Sequence, residues 1–129
     1  MRVVYIAGKV RDKTPWDVEQ NVRRAEELAL KVAWEGAMPL CPHTNSRFFL
    51  NQRDDAFWLE GTLEMMRRCD AVILVDNWRG SIGAIGEKKE AERLGIPVFE
   101  TIRDLKAWLE AQEIGEEVHG ECPALGPVE

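Results

Sequence analysis

Among the residues of this chain, Glu87 has the type and spacing that most invite chemistry. Ala84, Glu87, Ala91 and Leu94 recur at spacings of three, four and three, the stripe of a helix that faces a sheet. Lys88, Lys89 and Glu92 fall on the opposite, solvated side. A carboxylate therefore stands where apolar residues belong. Burial would raise its pKa and the nearby helix N-terminus would lower it, so the sequence leaves the sign of the shift open. It also leaves open a glutamate that escapes to water or pairs with a lysine. Just upstream, Ser81-Ile82-Gly83-Ala84 opens the same helix. Unpaired backbone N–H groups and the dipole favour an anion there, although an ordinary serine N-cap would look the same. Near the other end of the chain, Gly8-Lys9-Val10-Arg11 follows an apolar run. The glycine lets the backbone approach a ligand, and Lys9 and Arg11 can meet a phosphate or carboxylate or simply stand in water.

The elements that must hold these residues alternate. Residues 2–7 read as a short buried strand, and Thr14-Pro15-Trp16-Asp17 as a helix start with Thr14 as N-cap. Val18, Val22, Ala25, Ala29 and Val32 form one helical stripe, which Gly36 is placed to end. Residues 37–40 make a second strand, followed by a polar and aromatic loop through His43, Asn45, Arg47, Phe48 and Phe49. A helix over 55–69, with Leu59, Thr62, Met66 and Cys69 inward, precedes the most apolar strand, 71–75. The Glu87 helix, a strand over 96–99 and a last helix over 101–112 complete the order. This alternation predicts an α/β three-layer sandwich, flavodoxin- or Rossmann-like, with a small parallel sheet in the order 2-1-3-4 and room for a fifth strand. Ligands of such sheets bind beyond the strand C-termini at the switch point, here between loops 8–14 and 76–83.

Composition narrows the partners. The chain has 129 residues, with 17 Lys and Arg against 23 Asp and Glu, a net charge of −6. Every basic residue lies at or before Lys106, so residues 1–109 are neutral and the imbalance belongs to the end. Nucleic-acid surfaces and basic membrane helices need clustered, uncompensated Lys and Arg, so neither partner is expected. The apolar run 3–7 is too short for a signal peptide or a membrane span. Three cysteines without framework spacing read as reduced thiols of a cytoplasm. Cys41-Pro42-His43 and His119-Gly120-Glu121-Cys122 do not match common zinc spacings, so no metal is expected.

Tyr5-Ile6-Ala7-Gly8-Lys9-Val10-Arg11, Asp70-Ala71-Val72-Ile73, and Ser81-Ile82-Gly83-Ala84-Ile85-Gly86-Glu87 through Leu94-Gly95-Ile96-Pro97-Val98 resemble the nucleoside 2-deoxyribosyltransferase superfamily. They resemble in particular its short bacterial and phage-type members and its deoxynucleoside 5′-monophosphate N-glycosidases. The resemblance covers roughly residues 1–100. It implies hydrolysis or transfer at the N-glycosidic bond of a 2′-deoxynucleoside or its 5′-monophosphate, without a cofactor, in a homodimer or larger homo-oligomer. Glu87 matches the nucleophile that attacks the anomeric carbon, and Tyr5 the tyrosine that holds it. Ser81 matches a serine that reads the 5′-phosphate, and Gly8, Arg11 and Gly83 the rest of that pocket.

Two positions depart from the pattern. Thr62 stands where the superfamily usually has an aspartate facing sugar and leaving base, and Lys9 replaces a small hydroxyl residue. A threonine cannot serve as a general acid near neutral pH, a role worth about a hundredfold or more. Asp76 could substitute as the acid or cap its strand, and Trp78, like Phe48, Phe49 and Trp58, could cover a base or fill core or interface. The alternative reading is therefore a catalytically weak or inactive nucleotide-binding module of the same fold. Residues 1–112 are expected to form the functional domain, with 113–129 an acidic tail.

Overall fold

The computed structural model describes residues 1–118. Strand β1 is Val3–Ala7, β2 Met38–Leu40, β3 Ala71–Leu74 and β4 Val98–Phe99. They form one parallel sheet in the order β2-β1-β3-β4, with Tyr5 opposite Val72 and Ala7 opposite Leu74. Helix α1 (Pro15–Trp34) begins where Thr14 Oγ accepts from the Asp17 amide at 3.1 Å. Helix α3 (Asp55–Arg67) follows the short helix α2 (Pro42–Asn45) and a 3-10 turn, Leu50–Gln52. Helix α4 (Ile82–Leu94) ends on Gly95 at φ 74°, a left-handed cap that suits glycine. Helix α5 is Ile102–Val118.

Period-two alternation along β1 divides the core. Val4 and Ile6 point to one face, where Ala25 and Val32 of α1 and Leu105 and Leu109 of α5 cover them. Tyr5 and Ala7 point to the other, against Met66 of α3 and Ala91 of α4. The result is the three-layer sandwich with strand order 2-1-3-4 that the alternation of elements predicts.

Four local expectations need correction. The described residues form no fifth strand, because the chain beyond β4 turns into α5. That helix continues past residue 112 to Val118, since Glu110 and Glu113 favour helix and Gly115 alone, at a cost of about 1 kcal/mol, does not stop it. The loop after β2 contains α2 and the 3-10 turn. Leu59 and Leu94, assigned to inward stripes, are 47% and 43% exposed. Leu94 is the last residue of α4, whereas Leu59 faces a cleft between α3 and the start of α4, its Cδ2 3.2 Å from where a Cβ on Gly83 would lie.

Candidate active site

Tyr5 and Glu87 meet because β1 turns Tyr5 toward the α3–α4 face and α4 turns Glu87 toward the sheet. The tyrosine is fully buried, the glutamate is 6% exposed, and the phenolic O–H donates to Glu87 Oε2. Burial pushes the Glu87 pKa up to about 7, against the opposing pull of hydrogen bonds from Tyr5 and Thr62. The Tyr5 phenol is held well above its ordinary value, first by burial and then by the neighbouring Glu87 charge. The open sign is thus resolved: desolvation outweighs the helix terminus, which lies more than a turn away. Thr62, two turns into α3, faces the same pair; its one hydroxyl proton can go to Glu87 or to the Leu59 carbonyl, 3.1 Å away.

Glu87 forms the floor of a cleft of about 410 Å³, a size suited to a small organic ligand. The cleft opens at the C-terminal ends of β1 and β3, between the loops that follow them. Tyr5, Gly8, Lys9, Arg11, Thr62, Ser81, Gly83 and Glu87 all line it. Ser81 Oγ accepts from the Ala84 amide at 3.1 Å, so the serine is an N-cap. The amides of Ile82 and Gly83 are among the first-turn donors that a helix leaves without internal partners, and they sit at the cleft wall.

The loop after β1 is pinned from several sides. A Cβ on Gly8 would lie 2.5 Å from Val75 Cγ2, so only glycine fits. The Lys9 amide donates to Asn77 Oδ1 at 3.1 Å, and Asn21 Nδ2 donates to the Val10 carbonyl at 3.1 Å. His43 Nε2 lies 3.1 Å from the Lys9 carbonyl, which can only accept, so Nε2 carries the proton. Burial pushes the His43 pKa down to about 4. The ring is therefore a neutral prop for this loop. Sequence reasoning missed that role: His43 drew attention only for its spacing from Cys41.

Lys9 and Arg11 do not converge as their proximity in sequence suggests. The Lys9 ammonium extends toward Gly80, at the approach to α4, and lies 3.5 Å from Asp12. Arg11 reaches the other way. Its guanidinium pairs with Asp55 at 2.5 Å and donates to Asn51 Oδ1 at 3.1 Å and to the Leu50 carbonyl at 3.4 Å. Trp58 also lines the cleft and donates through Nε1 to the Leu50 carbonyl at 2.6 Å. Asp55 and Trp58 fall on the face of α3 that carries Thr62, a three- and four-residue spacing legible only once that face is known to border a cleft.

Two expected contacts lie elsewhere. Asp76 pairs with Arg24 at 3.7 Å and does not line the cleft. The chain after it forms a 3-10 turn, Trp78–Gly80, that folds Trp78 against the α3–α4 core, beneath the Arg79 guanidinium and the Lys88 ammonium. Trp78 is therefore also absent from the cleft wall. Phe48 is 88% exposed. Among the described residues no cluster of three His, Cys, Asp or Glu side chains could hold a metal, and no helix is long and apolar enough to cross a membrane. His119 and Cys122 lie outside the described residues.

Residues 2–101 match the family described as a domain of unknown function, DUF7768. The chain belongs to this family. The matched region contains every residue that lines the cleft and stops just before α5. No curated protein matches the sequence. Among solved structures, the chain is similar to a 2-deoxyribosyltransferase from the psychrotolerant bacterium Bacillus psychrosaccharolyticus, with a TM-score of 0.56. The two are 18% identical, and the match covers 81% of this chain and 90% of that one. The shared feature is the fold, a deoxyribosyltransferase-like α/β sandwich.

Proposed function

We propose that the cleft binds a 2′-deoxynucleoside or its 5′-monophosphate and cleaves its N-glycosidic bond through Glu87. The observation that carries this reading is the buried Glu87 carboxylate, held by Tyr5 at the floor of a ligand-sized cleft. In the proposed reaction Glu87 attacks the anomeric carbon. The bond to the base breaks, its electrons leave with the base, and a glycosyl ester forms. Water resolves the ester in hydrolysis, and a second base resolves it in transfer. A pKa of about 7 leaves about half of the glutamate ionised, and so nucleophilic, at neutral pH. The Tyr5 hydrogen bond holds the reacting oxygen pair in place. At the α4 mouth, Ser81, Gly83, Gly8 and Lys9 provide a small, cationic surface for a 5′-phosphate, with Arg11 within the same cleft.

A second reading, a binding module without turnover, rests on Thr62. Its hydroxyl occupies the position beside Glu87 where a carboxylic acid would protonate the leaving base. The other carboxylate that lines the cleft, Asp55, is engaged by Arg11. We further propose that residues 1–112 form the functional unit, that it works in a reducing cytoplasm, consistent with the free Cys41 and Cys69, and that copies associate. Trp16 and Trp34, 71% and 81% exposed, provide apolar surface for that association.

The deciding experiment mixes the protein with deoxynucleosides and their monophosphates and follows free base by chromatography. Release that disappears in Glu87→Ala supports cleavage. Thermal stabilisation by nucleotides without base release, lost for phosphorylated ligands alone in Ser81→Asp, supports the binding module. Absence of both removes the nucleotide reading.

A further inference from the structure

The buried residues of α1 are Asn21, Val22, Ala25 and Val32, three apolar side chains and one amide. Asn21 is 7% exposed, and an amide so far from water must find partners within the protein. It finds them at both polar atoms. Nδ2 donates to the Val10 carbonyl and to Asp12 Oδ2, each at 3.1 Å, and Oδ1 accepts from Asn77 Nδ2 at 3.4 Å. Two backbone groups fix these orientations. The Val10 carbonyl can only accept, and the Lys9 amide, 3.1 Å from Asn77 Oδ1, can only donate.

The bonds close into a ring on Lys9. Asn77 holds its amide, and Asp12 Oδ2, itself held by Asn21, lies 3.5 Å from its ammonium. The lysine is thus gripped at both ends. Asn77 also belongs to the loop after β3, where its carbonyl accepts from the Gly80 amide at 3.1 Å, one residue before the Ser81 N-cap of α4. The Lys9 ammonium extends toward that same Gly80. Asp12 steers the ammonium without consuming it. The contact is long and engages one of three N–H donors, and the carboxylate also accepts from the Lys13 amide at 2.9 Å. A lysine held in place before a ligand arrives loses less rotamer freedom when it binds.

We infer that Asn21 and Asn77 are positioning residues. Together they aim the Lys9 ammonium at the α4 mouth, and so set how strongly the cleft prefers a 5′-monophosphate to the bare deoxynucleoside. This inference rests on the nucleotide reading above and deepens it, because it places the selectivity in two side chains that do not line the cleft.

A double-mutant cycle tests it, with titration calorimetry of deoxyadenosine and its 5′-monophosphate on the full chain, Asn21→Ala, Lys9→Ala and the pair. Asn21→Ala should weaken the monophosphate about tenfold, the order of one charge-assisted contact, and change deoxyadenosine by under about twofold. Lys9→Ala should do the same, and Asn21→Ala added to it should weaken binding no further. Asn77→Ala, at a half-buried position, repeats the cycle should the buried substitution prevent folding. Equal losses for both ligands overturn the inference, as does a loss that persists without Lys9, because the amides then support the fold and do not aim the lysine. Unchanged monophosphate affinity in Asn21→Ala and Asn77→Ala overturns it as well. In each of these cases the nucleotide reading stands. If Lys9→Ala leaves monophosphate affinity unchanged, the phosphate lies away from Lys9 and the inference falls. If the parent binds neither ligand, the nucleotide reading fails and the inference fails with it.

Discussion

The floor and the mouth of the cleft are built on opposite principles. At the floor, Tyr5, Glu87 and Thr62 come from regular elements, β1, α4 and α3, with Tyr5 and Glu87 buried and Thr62 half-buried. At the mouth, Arg11 and Asp55 come from a loop and a helix start and stand half in solvent. At the floor, burial outweighs the hydrogen bonds that favour the charged form and raises the Glu87 pKa to about 7, whereas the mouth pair is screened and replaceable. Bond chemistry suits the first setting and ligand capture the second.

Replacing groups at each end sharpens that contrast. The largest effect is expected for Glu87→Gln, which should lower base release by roughly a thousandfold or more, since it removes the proposed nucleophile. A loss under about tenfold in single-turnover assays would break the assignment of Glu87 as the reacting group.

The next effect is on stability. The folded-state pKa of Glu87, about 7, lies above its ordinary value of 4.5. Its contribution to stability is therefore complete below pH 4.5 and lost as pH rises through 7, by on the order of 3 kcal/mol. His43 has the opposite sign. With a folded-state pKa of about 4 against 6.5, it contributes above pH 6.5, and that stability is lost as pH falls through 4. Urea titrations at pH 5.5 and 8 should show Glu87→Gln gaining on the parent at the higher pH. Parallel curves for the two proteins would mean that the carboxylate is not desolvated.

A smaller change, about tenfold in turnover, is expected for Tyr5→Phe. Because the phenol stabilises the carboxylate, its loss should also move the Glu87 limb of the pH–rate profile to higher pH. An unmoved limb would leave Tyr5 with a packing role alone. Least of all, Asp55→Asn at the mouth should change folding stability by under about 1 kcal/mol, read by the same urea titration. A larger loss would show that the mouth is built like the floor.

What the sequence made legible follows the same division. The α1 stripe and the inward position of Glu87 depend on spacing within single elements, and local periodicity reports them, while the strand order follows from the alternation of strands and helices. The match of Tyr5 to Glu87 needed the resemblance, because no pattern within β1 reveals which strand residue meets α4. Asp55, Trp58 and His43 escaped notice because their places depend on how the segment between β2 and α3 packs across the sheet. Asp76 and Trp78 were drawn toward the cleft by their position after β3. The 3-10 turn there reverses the side on which Trp78 lands. Lys9 and Arg11, two residues apart, part company for a similar reason: Lys9 extends toward Gly80 while Arg11 pairs with Asp55, on a different wall.

One consequence of the Tyr5–Glu87 bond is spectroscopic. The chain has a single tyrosine, and that residue touches the carboxylate at the floor of the cleft. Isotopic labelling of tyrosine would therefore place one resonance in the whole molecule, and that resonance would sit on the group whose protonation matters most. The state of Glu87 can be followed through its neighbour, in the intact protein, with no probe added.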